Sequence, residues 1–198
     1  MRFRGAAVLV VLISMLMSVS LFAQEGAEGE EDPMMKAWME YMTPGEGHAM
    51  MAKNVGKWKT TTKFWMMPGA EAQVSEGKAK AEMIMEGRYL KTKYEGMSWG
   101  MPFKGMSIQG YDNGKGEFET IWVDNMGTGI TMAKGVYDAD AEEYVMKGSY
   151  YDVMIKGPKE YTNKVRFDGD DKYVFEMWVK GPDGNEFKTM EMLHERVK

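Results

Sequence analysis

The sequence has no cysteine, so no disulfide can staple the fold, even in an oxidising compartment. Stability must come from a hydrophobic core, and 198 residues are enough to build one. Histidine is nearly missing too, with only His48 and His194. No Gly-x-Ser-x-Gly, phosphate-cradling glycine loop or His-Glu-x-x-His occurs, which removes the common signatures of hydrolases, nucleotide-binding enzymes and zinc peptidases. There is no basic cluster. With a formal net charge of −5, nucleic acid is excluded as an expected partner. After Ala23 no apolar run reaches the ~20 residues that a membrane span needs.

The one apolar run lies at the start. Arg2 and Arg4 precede it, Gly5 to Met17 form it, and Ser18 to Ala23 are smaller and more polar. This pattern predicts a secretory signal peptide over 1–23, cleaved at Ala23–Gln24. The expected product is exported, periplasmic or secreted, with no membrane span after cleavage. Residues 24–33 carry Glu25, Glu28, Glu30, Glu31 and Asp32 with almost nothing apolar, so a solvated, disordered leader is expected there.

What remains, 34–198, reads as one domain. Met35, Trp38, Met39 and Met42 fall at helical spacing and predict a first short helix with one apolar face. Thr43, Pro44 and Glu46 suit the start of a second helix as N-cap, first position and capping-box partner, and His48, Met51, Ala52 and Val55 share its face. From Lys57 onward the period is two. Ten strands are expected, at about 57–66, 75–86, 88–97, 103–111, 117–124, 129–138, 143–153, 159–168, 172–180 and 186–197. Glycine, 23 in all, is scattered singly among them as turns require. The hairpin around Asn125–Gly129 carries the clearest alternation, with Gly127 and Gly129 expected at positive φ. Short links throughout predict an all-β, up-and-down antiparallel barrel of about ten strands with N-terminal helices, because closure removes both sheet edges. A two-sheet sandwich is the alternative.

Gly56-Lys57-Trp58, where a helix runs into the first strand, together with Arg196 near the end of the last strand, resembles the calycin signature of lipocalins and fatty-acid-binding proteins. That resemblance implies that Trp58 plugs the closed end and Arg196 packs over it. A wider set of motifs resembles the bacterial "domain of unknown function 1579" family. They are Thr43-Pro44-Gly45-Glu46-Gly47-His48, Gly56-Lys57-Trp58, Gly87-Arg88-Tyr89-Leu90, Gly100-Met101-Pro102-Phe103, Gly110-Tyr111-Asp112-Asn113, Trp122 to Gly129, and Gly181-Pro182-Asp183-Gly184. The family implies a calycin-like barrel and no established reaction, ligand or catalytic residue.

A ten-strand barrel is wider than its side chains easily fill. Inward parity selects Phe64, Met83, Thr92, Tyr94, Thr120, Trp122, Asp124, Tyr144, Tyr150 and Met177 as expected ligand contacts, an apolar and aromatic set with sparse hydroxyls. The expected function is lipocalin-like binding of a small apolar or amphipathic ligand. The alternative is an envelope structural or interaction protein with a filled barrel and an outer patch of Trp65, Trp99 and Trp178, which would also suit a homodimer. A haem-binding or enzymatic barrel ranks third. Nitrobindin-like barrels use a late-strand histidine for haem, and His194 is placed like one; the plainer reading is a partly exposed strand histidine. Asp124 suits either a perturbed acid or a cap on the hairpin amides, with the cap favoured. Asp168, Asp170 and Asp171 lack calcium-loop spacing. Methionine is abundant, at 23, which raises soft-metal capture, but Met35, Met39, Met42, Met51, Met83 and Met85 are better explained as adaptable packing. The reading leans away from an enzyme and names no catalytic residue, metal ligand or cofactor.

Overall fold

The computed structural model describes residues 32–181 and 183–198; the predicted signal peptide and most of the acidic leader lie outside them. Two helices, α1 (Pro33–Met42) and α2 (Glu46–Ala52), precede ten strands. These are β1 (Gly56–Phe64), β2 (Gln73–Ile84), β3 (Tyr89–Ser98), β4 (Met101–Asp112), β5 (Glu117–Asp124), β6 (Thr131–Asp138), β7 (Glu143–Asp152), β8 (Gly157–Asp168), β9 (Lys172–Lys180) and β10 (Glu186–Arg196). Each strand pairs antiparallel with its neighbour in sequence, and β1 pairs with β10, closing the barrel. The expected fold class is therefore the observed one.

Alternation explains the wall. One parity turns inward, with cross-strand partners sharing a face, as in Trp58–Ala79 and Ala79–Tyr94. The other parity carries charge ladders such as Lys59–Glu76 at 3.1 Å and Lys78–Glu95 at 3.0 Å. Such an outer wall faces water; a barrel that spans lipid carries an apolar band there. Among the described residues no helix is long and apolar enough to cross a membrane.

Three local expectations are corrected. The β5–β6 hairpin, with the clearest sequence pattern, has a ladder of only five residue pairs, from Phe118–Gly135 to Trp122–Thr131. Neither Gly127 nor Gly129 takes positive φ. Side chains shape this turn instead: Asp124 Oδ1 accepts from the amides of Met126 and Gly127 at 2.8 and 3.1 Å, and Asn125 reaches across to Pro102 and Lys104. Thr43 does not start α2. It ends α1, its hydroxyl donating to the Met39 carbonyl, while Gly45 is the N-cap and its amide donates to His48 Nδ1 at 3.1 Å. The imidazole supplies the reciprocal capping contact expected of Glu46. Finally, α1 buries nothing: Met35, Trp38, Met39 and Met42 are all exposed, and Met85 is exposed in the β2–β3 turn at φ 49°. Of the methionines read as packing, Met51 is buried in the core and Met83 packs partly against it.

The closed end is built around Trp58. Its Nε1–H donates to the Asn54 carbonyl at 2.9 Å, and its ring meets Tyr173 edge-on at 4.8 Å. The Arg196 guanidinium lies 4.1 Å over the Trp58 ring and donates to the carbonyls of Asp170, Val55 and Lys53 at 2.7–2.9 Å. It thus ties the last strand to the helix–strand junction while stacking on the plug. Gly56 is needed for this: its φ is +146°, and a Cβ there would meet Arg196 Nη1 at 2.5 Å. Above the junction α2 drives Met51 into a core that includes Ala81, Leu90, Phe118 and Tyr144. One end of the barrel is sealed by a helix, an indole and a guanidinium.

Candidate ligand site

Above that seal the inward side chains change character. Phe64, Tyr94, Trp122, Tyr150 and Met177 are half-buried, as is Thr120. The pairings Phe64–Met190, Thr62–Met192, Ser107–Trp122, Gln109–Thr120 and Asn163–Met177 place them all on the inner face. Aromatic rings line the space: Tyr94 lies 5.4 Å from Trp122, Trp122 stacks on Phe103 at 6.3 Å, and Phe64 meets Trp99 edge-on at 5.5 Å near the mouth. Between the rings stand hydroxyls and amides. Asn163 Oδ1 is buried with no hydrogen-bond partner, a polar atom whose desolvation nothing in the chain offsets. Charge is scarce. The inward-parity charges are Asp124, committed to its turn and to the Trp122 indole at 2.6 Å; Lys159 and Asp152, paired at the rim; and Arg196, spent in the seal.

The floor of this space is an aromatic layer. Burial raises the Tyr94 phenol to about 12, and its interaction with the Tyr173 hydroxyl runs the other way. Beneath it His194 stacks on Tyr173 at 3.9 Å and 11°. The ring is 1% exposed, not partly exposed as its strand position suggested. Nδ1 lies 3.2 Å from the Met192 carbonyl, while Nε2 has neither a partner nor open surface. Desolvation lowers this imidazole to about 3, so it is neutral at physiological pH. Nothing can bind Nε2 without displacing a neighbour, which bears equally on haem.

Of the ten contacts read from parity, Phe64, Tyr94, Thr120, Trp122, Tyr150 and Met177 are placed together on the half-buried part of the inner face. Four are not. Thr92 and Tyr144 are buried in the closed half, Met83 packs there against the core, and Asp124 serves its turn. Met190, Met192, Phe103 and Asn163 were not among the expected contacts, although their parity marks them. The aromatic patch on the outside does not form as expected. Trp65 and Trp178 flank Lys188, whose ammonium sits 5.6 and 5.9 Å from their rings and donates to the buried Glu176 at 2.9 Å. Trp99 belongs to the mouth. The outer wall does hold a groove of about 630 Å³ over the middle strands, lined by Met132, Lys134, Lys147, Glu160, Trp178 and Lys180 among others. Among the described residues no cluster of three metal-ligating carboxylates or histidines occurs.

A family model described as "Protein of unknown function (DUF1579)" matches residues 43–196. No curated protein sequence matches the chain. Among solved structures, the S-type phycobiliprotein lyase CPES from Guillardia theta is similar at a TM-score of 0.55 and 11% identity, over 81% of this chain and 97% of that one. Rv2717c from M. tuberculosis is similar at a TM-score of 0.53 and 10% identity, over 79% of this chain and 100% of that one. At such identities the likeness is one of fold alone.

Proposed function

We propose that this chain, which belongs to the DUF1579 family, is an exported barrel that carries one small, neutral, largely apolar ligand in the space above Tyr94. One observation carries this reading: one end is sealed by Trp58 and Arg196, while Phe64, Trp122, Tyr150, Met177 and Met190 nearer the other end remain half-buried, with Tyr161 and Val179 buried along one side. Concave apolar surface with a few polar groups is the usual form of a small-molecule site. The ligand class follows from the charges. No unpaired cation among the described residues faces the interior, so a carboxylate or phosphate head would be desolvated without a counter-ion. Hydroxyl or amide groups suit Thr62, Thr120 and Asn163 better.

Native mass spectrometry of the protein isolated from its own host tests this. A retained neutral molecule, one per chain, supports it; a chain that consistently flies at its bare mass opposes it. Export is tested by N-terminal sequencing of the same sample. A start at Gln24 supports it, and a start at Met1 or Arg2 opposes it.

A further inference from the structure

We propose that the exposed methionines form a sacrificial surface that takes up two-electron oxidants, hydrogen peroxide or hypohalous acid, as methionine sulfoxide. Of the 23 methionines, all but Met1, Met15 and Met17 follow Ala23, where the only leucines are Leu90 and Leu193. Leucine is ordinarily among the commonest residues. The two side chains have similar volume and exchange in cores at little cost, so packing does not explain so lopsided a choice. Nor are most of these methionines packed. Among the described residues twelve are exposed, six are half-buried, and only Met51 and Met146 are buried. None of the twelve joins either core cluster.

What methionine has and leucine lacks is a thioether sulfur. Its lone pair serves two chemistries, soft-metal binding and oxidation. A metal needs sulfurs gathered at one point. Here they are spread: Met35, Met39 and Met42 lie along α1, Met85 in the β2–β3 turn, Met132 on the outer wall, and Met154, 86% exposed, in the β7–β8 turn. That spread suits a small reagent arriving from solvent on any side. The chain has no cysteine, so thioethers are its only sulfur. The step balances. A sulfur lone pair attacks one peroxide oxygen, the O–O bond breaks and an S–O bond forms. The proton of the transferred hydroxyl passes to the departing oxygen, which leaves as water. With hypochlorous acid the Cl–O bond breaks instead, and chloride and a proton leave. Sulfur loses two electrons and the oxidant gains them. A sulfoxide is polar and disrupts packing in a core. These twelve side chains stand in water outside the core clusters, so the change costs the fold little. The side chains the fold depends on are withheld, with Met51, Trp58 and His194 each 1% exposed. The barrel's ligand plays no part in this chemistry.

Peroxide titration of the protein isolated from its own host, read by intact mass and peptide mapping, tests it. About twelve oxygens should enter each chain at the exposed positions first, with Met51 and Met146 spared and the melting temperature unchanged. Methionine sulfoxide reductases A and B together should restore the starting mass. Met35→Leu with Met39→Leu and Met42→Leu should take up about three oxygens fewer and melt like the parent. In host cells given a sublethal dose of hypochlorite, sulfoxide should appear at the same exposed positions. The proposal is overturned if oxidation at those positions unfolds the barrel, or if they stay reduced in the treated cells. It is equally overturned if one equivalent of silver(I) shields Met35, Met39 and Met42 from peroxide, which would make α1 a soft-metal site.

Discussion

At the scale of single residues, the sealed end explains the most. Trp58 is 1% exposed, and Arg196 and Asn54 are positioned by it. Trp58→Ala should therefore cost about 3–5 kcal/mol of unfolding free energy, read from urea titration. A cost below about 1 kcal/mol would mean the seal is not organised by this ring. His194 gives a pH dependence. In the unfolded chain it takes up a proton below its ordinary value of 6.5; in the fold it stays neutral until about 3. The unfolded state then binds more protons across that interval, so stability falls as pH drops through it, with a slope approaching about 1.4 kcal/mol per unit. Glu191, held below its ordinary 4.5 chiefly by the Lys188 hydrogen bond, adds a further loss only at lower pH. Urea titrations from pH 7 to 5 should show the wild type weakening and His194→Phe weakening much less. Equal slopes would place the imidazole in contact with water.

At the scale of elements, the helices make opposite predictions. Met51→Ala in α2 removes a buried side chain and should cost about 2–5 kcal/mol. Trp38→Ala in α1 should change stability by no more than about 0.5 kcal/mol, since the ring is exposed and meets only Tyr41 of its own helix edge-on among the described rings. Both helices show apolar spacing in the sequence, and that spacing cannot say whether the face finds a partner. The strands were legible because burial on one side forces a period of two, and their observed limits fall within a few residues of expectation. The β5–β6 turn was misjudged because its glycines drew attention away from Asp124 and Asn125, whose side chains replace positive φ. The role of Gly135 was invisible. A Cβ there would sit 1.9 Å from the Val145 carbonyl oxygen, a consequence of close strand approach across the barrel wall. Gly135→Ala should destabilise by about 1–3 kcal/mol in the same assay.

At the scale of the whole molecule, the barrel is a cup with a hard floor, a wet wall and an apolar lip. Parity in the sequence identified the correct face for Thr92, Tyr144 and Met83 and still misplaced them. How high a residue stands depends on strand tilt and shear, which alternation does not encode. His194 was misjudged for a related reason: its depth comes from Tyr173, its cross-strand partner on β9, and from Tyr94 on β3, far away in sequence, closing over it. The central claim is that the space above Tyr94 binds a neutral apolar molecule. The most direct measurement is a fluorescence titration with neutral phenylnaphthylamine, comparing the parent protein with Thr120→Trp, which adds bulk on the inner face, and Trp178→Ala, which alters the outer groove. One site per chain at micromolar affinity is expected, about −8 kcal/mol, within reach of roughly 300 Å² of buried apolar surface at ~25 cal/mol/Å². Thr120→Trp should weaken binding by about tenfold or more at unchanged melting temperature, and Trp178→Ala should leave it intact. The reverse result, with binding indifferent to Thr120→Trp and lost on Trp178→Ala, would contradict the claim and move the site to the outer wall.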